Sequence, residues 1–395
     1  MNLAVNAGPG MVRYRRILLT LQESLRCGKY QGGYMTPIAY HISKTCLAIR
    51  PLLSGKIVRS TLIYGILPVL FFLSLFLGRY EVPPSHVVQL LAAPLVNLLP
   101  AEIAHIDSSW TAAEQNVIYL IRLPRVIAAM LVGAGLAIAG AAYQGLFKNP
   151  LVSPDILGVS SGAGLGAALA ILLSAGSLII QISAFCFGIL AVTVTCLLSR
   201  FYRRTPTLIL VLSGIIVGAF FTALISLTKY LADPYEKLPA ITFWMMGSLA
   251  SVRYSDILLI APPFLVAAAV LILIRWRINL LAVGDDEARA LGIDTKRMSQ
   301  IIILCSTMIT AGAVCIAGII GWVGLVVPHL GRMLVGPDYR KLMPVVFLLG
   351  ASYMLIIDNI ARNLTMAEIP LGILTAIFGA PFFAYLLRKR SVGWA

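Results

Sequence analysis

Between residues 61 and 387 the chain is built from ten apolar runs, most of them long enough to cross a bilayer as a helix. A hydrocarbon layer about 30 Å thick takes about 20 residues at 1.5 Å per residue. The first five runs lie near Thr61–Leu77, Ile121–Phe147, Ile156–Ser174, Leu178–Ser199 and Thr207–Leu231. The other five lie near Asp256–Ile274, Gln300–Val323, Leu325–Val335, Met343–Ala361 and Leu371–Leu387. The eighth is too short to cross alone and holds Pro328, so it is expected to be a broken or partly inserted helix. Only 12% of the residues are charged, about half the usual share for a soluble domain. Too little polar surface is left to wrap a soluble core. A soluble enzyme, a disordered chain and a collagen-like rod are excluded. The expected fold class is all-α: a polytopic membrane protein of about ten transmembrane helices.

Lys and Arg positions set the orientation. With the N-terminus cytoplasmic and ten crossings, 24 of the 31 basic residues fall inside and seven outside. Both termini are therefore expected on the cytoplasmic side. The net charge of +15 is spread along that face as anchors, which removes a nucleic-acid reading. Residues 1–59 form a basic extension with Glu23 as the single acid and no spanning run. It reads either as chain ahead of a true start at Met11 or Met35, or as an amphipathic segment lying on the membrane. Residues 60–395 form the ten-span domain.

Lipid gives helices no hydrophobic reason to associate, so close packing needs small residues along one face. The second run has Ala129, Gly133, Ala137, Ala141 and Gly145; the third has Gly158, Gly162, Gly166, Ala170 and Ser174; the fifth has Gly214, Gly218, Thr222 and Ser226. Three such lines point to a tightly packed bundle. The tripeptide Ile138-Ala139-Gly140 precedes Pro150 at the same distance as Ile316-Ala317-Gly318 precedes Pro328. The two parent spans run in opposite directions, as in an inverted repeat; chance likeness between small-residue helices is the alternative.

No GxxxxGK[ST] loop and no HExxH occur, so neither P-loop nucleotide hydrolysis nor zincin chemistry is encoded. The four histidines and six cysteines are scattered, with no CxxC pair, and no metal site or cofactor is expected. Span interiors are nearly free of charge, with Asp155 and Asp358 near predicted ends. An ion-coupled carrier would place ionisable groups deep in several spans, so the energy is expected to come from another subunit. The stretch Gly284-Asp285-Asp286-Glu287-Ala288-Arg289-Ala290-Leu291-Gly292, continuing to Asp294 and Arg297, sits on the cytoplasmic side between the sixth and seventh spans. Three leading acids suit a helix start, Gly292 suits its end, and Asp294 could cap a second short helix. Ala288 and Leu291, three apart, would share a face that a partner could grip; a solvated loop is the alternative.

Three blocks of sequence resemble one family. The first runs from Arg122-Leu123-Pro124-Arg125 through Gln144-Gly145-Leu146-Phe147-Lys148-Asn149-Pro150 to Leu157-Gly158-Val159-Ser160-Ser161-Gly162. The second runs from Gly321-Trp322-Val323-Gly324 through Pro328-His329-Leu330-Gly331-Arg332 to Gly336-Pro337-Asp338. The third holds Asp358, Ala361-Arg362, Glu368-Ile369-Pro370, Gly372 and Gly379-Ala380-Pro381. From about residue 60 onward the chain is similar to the permease subunits of ATP-driven importers for iron–siderophores, haem and cobalamin.

The resemblance implies a non-enzymatic ten-span permease in the bacterial inner membrane. It implies a second permease copy or paralogue, two cytoplasmic ATP-binding subunits and a periplasmic or surface substrate-binding protein. The elbow residues Gly284, Asp285, Asp286, Glu287, Ala288, Arg289, Leu291, Gly292 and Asp294 then correspond to the ATPase-docking segment. Arg122, Arg125 and Arg362 correspond to cations that meet acidic residues of the binding protein; as three cations on a basic-poor face they would also steer such a partner. The fifth span and a short outer helix after it would line the path, with Ser213, Thr222 and Ser226 facing it or merely packing neighbours. The expected cargo is a ferric siderophore, with haem or cobalamin as alternatives. A stand-alone carrier and a membrane enzyme are the rival classes.

Overall fold

The computed structural model describes residues 56–96, 109–200 and 207–388. The extension expected over residues 1–59 lies outside the described residues, apart from 56–59, which open the first helix. Residues from Ile63 onward pack as one unit.

Among the described residues there are helices and no strands. Two elements, α1 (Lys56–Phe76) and the short α2 (Pro84–Val96), precede α3 (Ala112–Leu146), the longest helix. A tight turn leads to α4 (Val159–Leu172), then α5 (Ser177–Arg200), α6 (Thr207–Leu231) and the ten-residue α7 (Lys237–Met246). The helices α8 (Tyr254–Leu273), α9 (Arg275–Val283) and α10 (Asp285–Ala290) lead into α11 (Thr295–Ala317). The chain ends with α12 (Val323–Val335), α13 (Tyr339–Asn363) and α14 (Leu371–Arg388). All ten expected spans have a helix. Six are long and apolar enough to cross a membrane, and the four shorter ones include α4 and α12. Hydropathy missed α2 and α9, which are too short to register as spans.

The bundle is centred on α3, whose apolar window is 83% buried against 28% for α6. Its start is fixed by a capping box: Glu114 N–H donates to Thr111 Oγ1, and Thr111 N–H donates to Glu114 Oε2 at 2.7 Å. A π-helical stretch, Val117–Arg122, comes next. Its cause is Pro124, which has no N–H for the carbonyl four residues back and would clash with it; a wider turn relieves both.

Several glycines of the small-residue lines lie at backbone-to-backbone crossings, while Thr222 and Ser226 of the α6 line are exposed. A Cβ added at Gly133 would land on the Gly350 carbonyl of α13, and one added at Gly350 would land on the Gly133 carbonyl. At Gly140 it would strike the Gly324 backbone of α12. On α4, Gly162 and Gly166 meet the Phe187 and Ser183 carbonyls of α5, and Gly214 of α6 meets the Ile156 carbonyl. The tripeptide echo, however, marks unlike positions: Gly140 is inside α3, whereas Gly318 terminates α11 with φ +71°.

The expected break at Pro328 lies elsewhere. Pro328 is inside α12, and the helical path is interrupted earlier, at residues 318–322 between α11 and α12. Beside it, backbone groups are paired within the protein: Ser248 N–H donates to Ala317 O at 2.9 Å, and Leu371 N–H to Gly247 O at 2.9 Å. The end of α7 is thus tied to both the end of α11 and the start of α14 next to this irregular strip.

Replacing Gly133 by Val should force α3 and α13 apart at carbonyl contact. Overpacking of a fixed crossing costs on the order of 1–3 kcal/mol. A lowered melting temperature on size-exclusion thermostability, with Gly65→Val unchanged because nothing lies within 4 Å of it, is the expected outcome.

Candidate functional site

At one end of the bundle, α3 and α13 bring together the arginines singled out in the sequence. Arg125 Nε donates to Asp358 Oδ1 at 2.8 Å, and its two terminal nitrogens donate to Glu368 Oε1 and Oε2, each at 2.9 Å. Arg362 donates from Nη2 to Ser74 O and Asn359 Oδ1, both at 2.6 Å, and its Nε lies 3.6 Å from Asp358 Oδ2. Arg122 gives its terminal nitrogens to the Leu75, Phe76 and Tyr80 carbonyls, which close the end of α1. Gly78 is glycine because a Cβ there would press on the Arg122 guanidinium, 2.6 Å from Nη2. A cavity of about 170 Å³ opens between these groups.

This corrects two expectations. Asp358 stands near the end of α13, as expected, but reaches no water there: its side chain is 0% exposed and is the shared counter-ion of Arg125 and Arg362. Nor are Arg122, Arg125 and Arg362 cations displayed on a surface, being 3%, 5% and 5% exposed and donating to groups inside the chain. Buried guanidinium groups must find acceptors, because desolvation without them is costly. An exposed cation beside them is Arg79, which donates to Arg362 O at 2.9 Å and Thr365 O at 2.8 Å. Sequence reasoning placed Arg79 on this face without singling it out. Glu368 was visible as part of a motif, but its partner is 243 residues away.

At the opposite end sits the elbow. Asp285, Asp286 and Glu287 form the first turn of α10, and Lys148, at the end of α3, binds Asp285 Oδ1 at 2.7 Å. The helix closes as a Schellman turn. Ile293 N–H reaches Ala288 O at 3.0 Å, and Gly292 N–H reaches Arg289 O at 2.9 Å, with Gly292 at φ +80° where a side chain would be strained. Asp294 caps the next helix by accepting from Arg297 N–H at 3.0 Å, but that helix is the 23-residue α11 and not a second short one. Ala288 and Leu291 do not share an exposed face: Ala288 is 0% exposed, and Leu291, past the helix end, is 65% exposed. Leu291 offers an apolar grip at the tip of the turn, and Val283, just ahead of the elbow, is 72% exposed as well.

Further contacts knit this end. Gln144 Nε2 donates to Val152 O at 3.1 Å and Gly324 O at 3.3 Å, while Arg332 Nη2 donates to Gln144 Oε1 at 2.6 Å. Asn279 of α9 donates to Asp338 Oδ1 at 2.6 Å and accepts from Tyr339 N–H at 2.8 Å. The Arg340 guanidinium, with help from Asn279, holds the Asp338 carboxyl well below the usual carboxylate range.

The three path candidates split. Ser213 is buried, whereas Thr222 and Ser226 are exposed on α6 and donate within the helix to Gly218 O at 2.8 Å and Thr222 O at 3.1 Å. They lie in a broad exposed face with Leu212 and Ile215. The expected short helix after α6 is α7, ended by Gly247 at φ +80°. The pentapeptide Gly158-Val159-Ser160-Ser161-Gly162 has the GxSxG spacing, but a 3-10 turn leads into it and Ser160 Oγ donates to Asp155 Oδ1. It is the start of a packing helix and not a hydrolase nucleophile turn.

Residues 66–389 match the FecCD transport family. The chain belongs to that family. The molybdate import system permease protein MolB of Haemophilus influenzae is 42% identical over 321 residues, 81% of this chain and 92% of the relative. The cobalamin import system permease protein BtuC of Halobacterium salinarum is 42% identical over 281 residues, 70% of this chain and 75% of the relative. A metal-chelate type ABC transporter solved in an inward-facing conformation is 39% identical, with a TM-score of 0.73 over 84% of this chain and 99% of that one. The protein is thus a membrane-embedded, multi-pass permease subunit of an ABC importer. Permeases of the FecCD family work with ATP-binding subunits, where ATPase activity resides, and with a substrate-binding protein.

Removing Asp358 as Ala leaves two buried guanidinium groups without their shared carboxylate. Breaking a buried pair from one side costs about 3–5 kcal/mol. A large fall in thermostability in detergent, with Asp286→Ala (side chain 96% exposed) near wild type, is the expected result.

Proposed function

We propose that this chain forms the transmembrane path of an importer for a metal-containing cargo, is driven through its elbow by ATP-binding subunits, and receives cargo at the arginine end. The observation that carries the coupling part is Leu291: a large apolar side chain, 65% exposed at the tip of a backbone-closed, charge-flanked turn. Such a residue suits insertion into a partner's groove. The skew of Lys and Arg puts the elbow in the cytoplasm with both termini and the arginine end outside, in the bacterial inner membrane. A second permease copy or paralogue would cover the exposed face of α6 and place Thr222 and Ser226 along the path. Residues Gly284, Asp285, Asp286, Glu287, Arg289, Gly292 and Asp294 shape and cap the elbow, and Ala288 anchors it inward.

Docking of a binding protein involves the arginine end as a whole. Arg79 is the first cation it meets, and Arg122, Arg125 and Arg362 lie beneath. Acidic partner groups would be steered by that excess of positive charge. The cargo read from the sequence blocks is a ferric siderophore. Molybdate is the second reading, favoured by a relative 42% identical over 321 residues. Haem and cobalamin come after these.

Leu291→Asp should abolish co-purification of the ATP-binding subunits at normal membrane yield, and retained co-purification removes the coupling reading. Cells lacking the permease gene should lose uptake of one of two tracers, radioactive iron on a siderophore or radioactive molybdate. The tracer lost names the cargo class. Loss of neither would set both readings aside. The purified chain in vesicles with an ion gradient alone should move no cargo.

A further inference from the structure

Arg125 spends every side of its guanidinium on carboxylates, and those two carboxylates differ in kind. Asp358 is 0% exposed and also faces Arg362, so it is built into the interior. Glu368 is 30% exposed and stands on the non-helical segment 364–370, whose neighbours Leu364 and Met366 are 65% and 97% exposed. Its two oxygens fill the outward fork of Arg125 at 2.9 Å each. Around the same cavity of about 170 Å³, Arg79 and Arg122 donate only to backbone carbonyls. Four arginines therefore share two carboxylates, leaving a positive excess. The one carboxylate placed to leave is Glu368.

We infer that Glu368 is an internal latch: an acidic side chain of the docking binding protein takes over the Arg125 fork, displaces Glu368 and frees segment 364–370. The inference rests on the reading of this end as the docking face. The exchange replaces one bidentate arginine–carboxylate pair by another, so docking need not leave the buried Arg125 guanidinium unpaired, and the displaced Glu368 passes to water on the exposed segment 364–370. A planar carboxylate is the group the fork already fits, and the positive excess attracts an acidic protein surface.

Release has a defined destination. Ile369 N–H is bonded to Ala361 O at 3.1 Å, and Leu371 N–H to Gly247 O at 2.9 Å. Glu368 is thus one residue from the tie to α13 and three from the tie between α14 and the end of α7. Losing its hold on Arg125 loosens both, so cargo delivery would be signalled to the helices expected to border the path.

The test uses the assembled importer in nanodiscs with its own substrate-binding protein, read by hydrogen–deuterium exchange and by binding kinetics. Glu368→Gln keeps the shape but not the charge, and Glu368→Ala guards against a substitute hydrogen bond. Both should speed exchange at the Ile369 and Leu371 amides without the binding protein and tighten its Kd by about tenfold. The binding protein should produce the same faster exchange in the wild type. If Arg125→Gln weakens docking while the Glu368 variants neither tighten it nor speed exchange, the latch is wrong and the docking face stands. If Arg125→Gln and Arg122→Gln dock as wild type does, the docking face itself is wrong and the latch falls with it. Free acetate reproducing the effect would overturn the choice of a protein carboxylate as the occupant.

Discussion

The contact of Gly133 with Gly350 sets the register on which both ends of the molecule depend. It is backbone against backbone, so it cannot slide without a carbonyl meeting a carbon. α3 and α13 run antiparallel through it. Arg125 lies eight residues before Gly133 and Asp358 eight after Gly350, so both stand about 12 Å from the crossing on the same side. That is why a donor and an acceptor 233 residues apart meet at 2.8 Å. In the other direction, Gly145 faces the Tyr339 ring, where a Cβ would lie 3.0 Å from it. One close crossing thus positions the arginine end and helps to seat the elbow end.

Much of the fold was legible because lipid imposes a length and a polarity on every span. All ten runs became helices, and Thr207–Leu231 has the ends read from its hydropathy. The lines of Gly and Ala on α3 and α4 were also legible, because close approach of two backbones requires small residues on one face. The interruption between α11 and α12 was not. Pro328 is the strong local signal, yet it sits where α12 tolerates it, and the true break is set by tertiary pairing of Ala317 O with Ser248 N–H.

The candidate sites were legible as chemistry but not as exposure. An arginine beside the end of an apolar run reads as an outer-face cation, and sequence carries no sign that Asp358 and Glu368 consume its donors. The same gap separates Ala288 from Leu291: three-residue spacing implies one face only while the helix lasts, and α10 stops at Ala290. Gly292 was a sound signal for that stop, and the exposure of Leu291 is its consequence. Sequence therefore named the residues, and tertiary structure decided which of them can touch a partner.

The cap at Asp294 has a mechanical corollary. Only the tight turn 291–294 separates the elbow from α11, and that helix behaves as a stiff rod about 34 Å long, with one tip at Thr295 and the other at Ala317. A tilt imposed on the near tip arrives undamped at the far one. There it meets the non-helical strip beside which α7 ends and α14 begins, the least rod-like stretch of backbone in reach and so the natural place for the displacement to be absorbed.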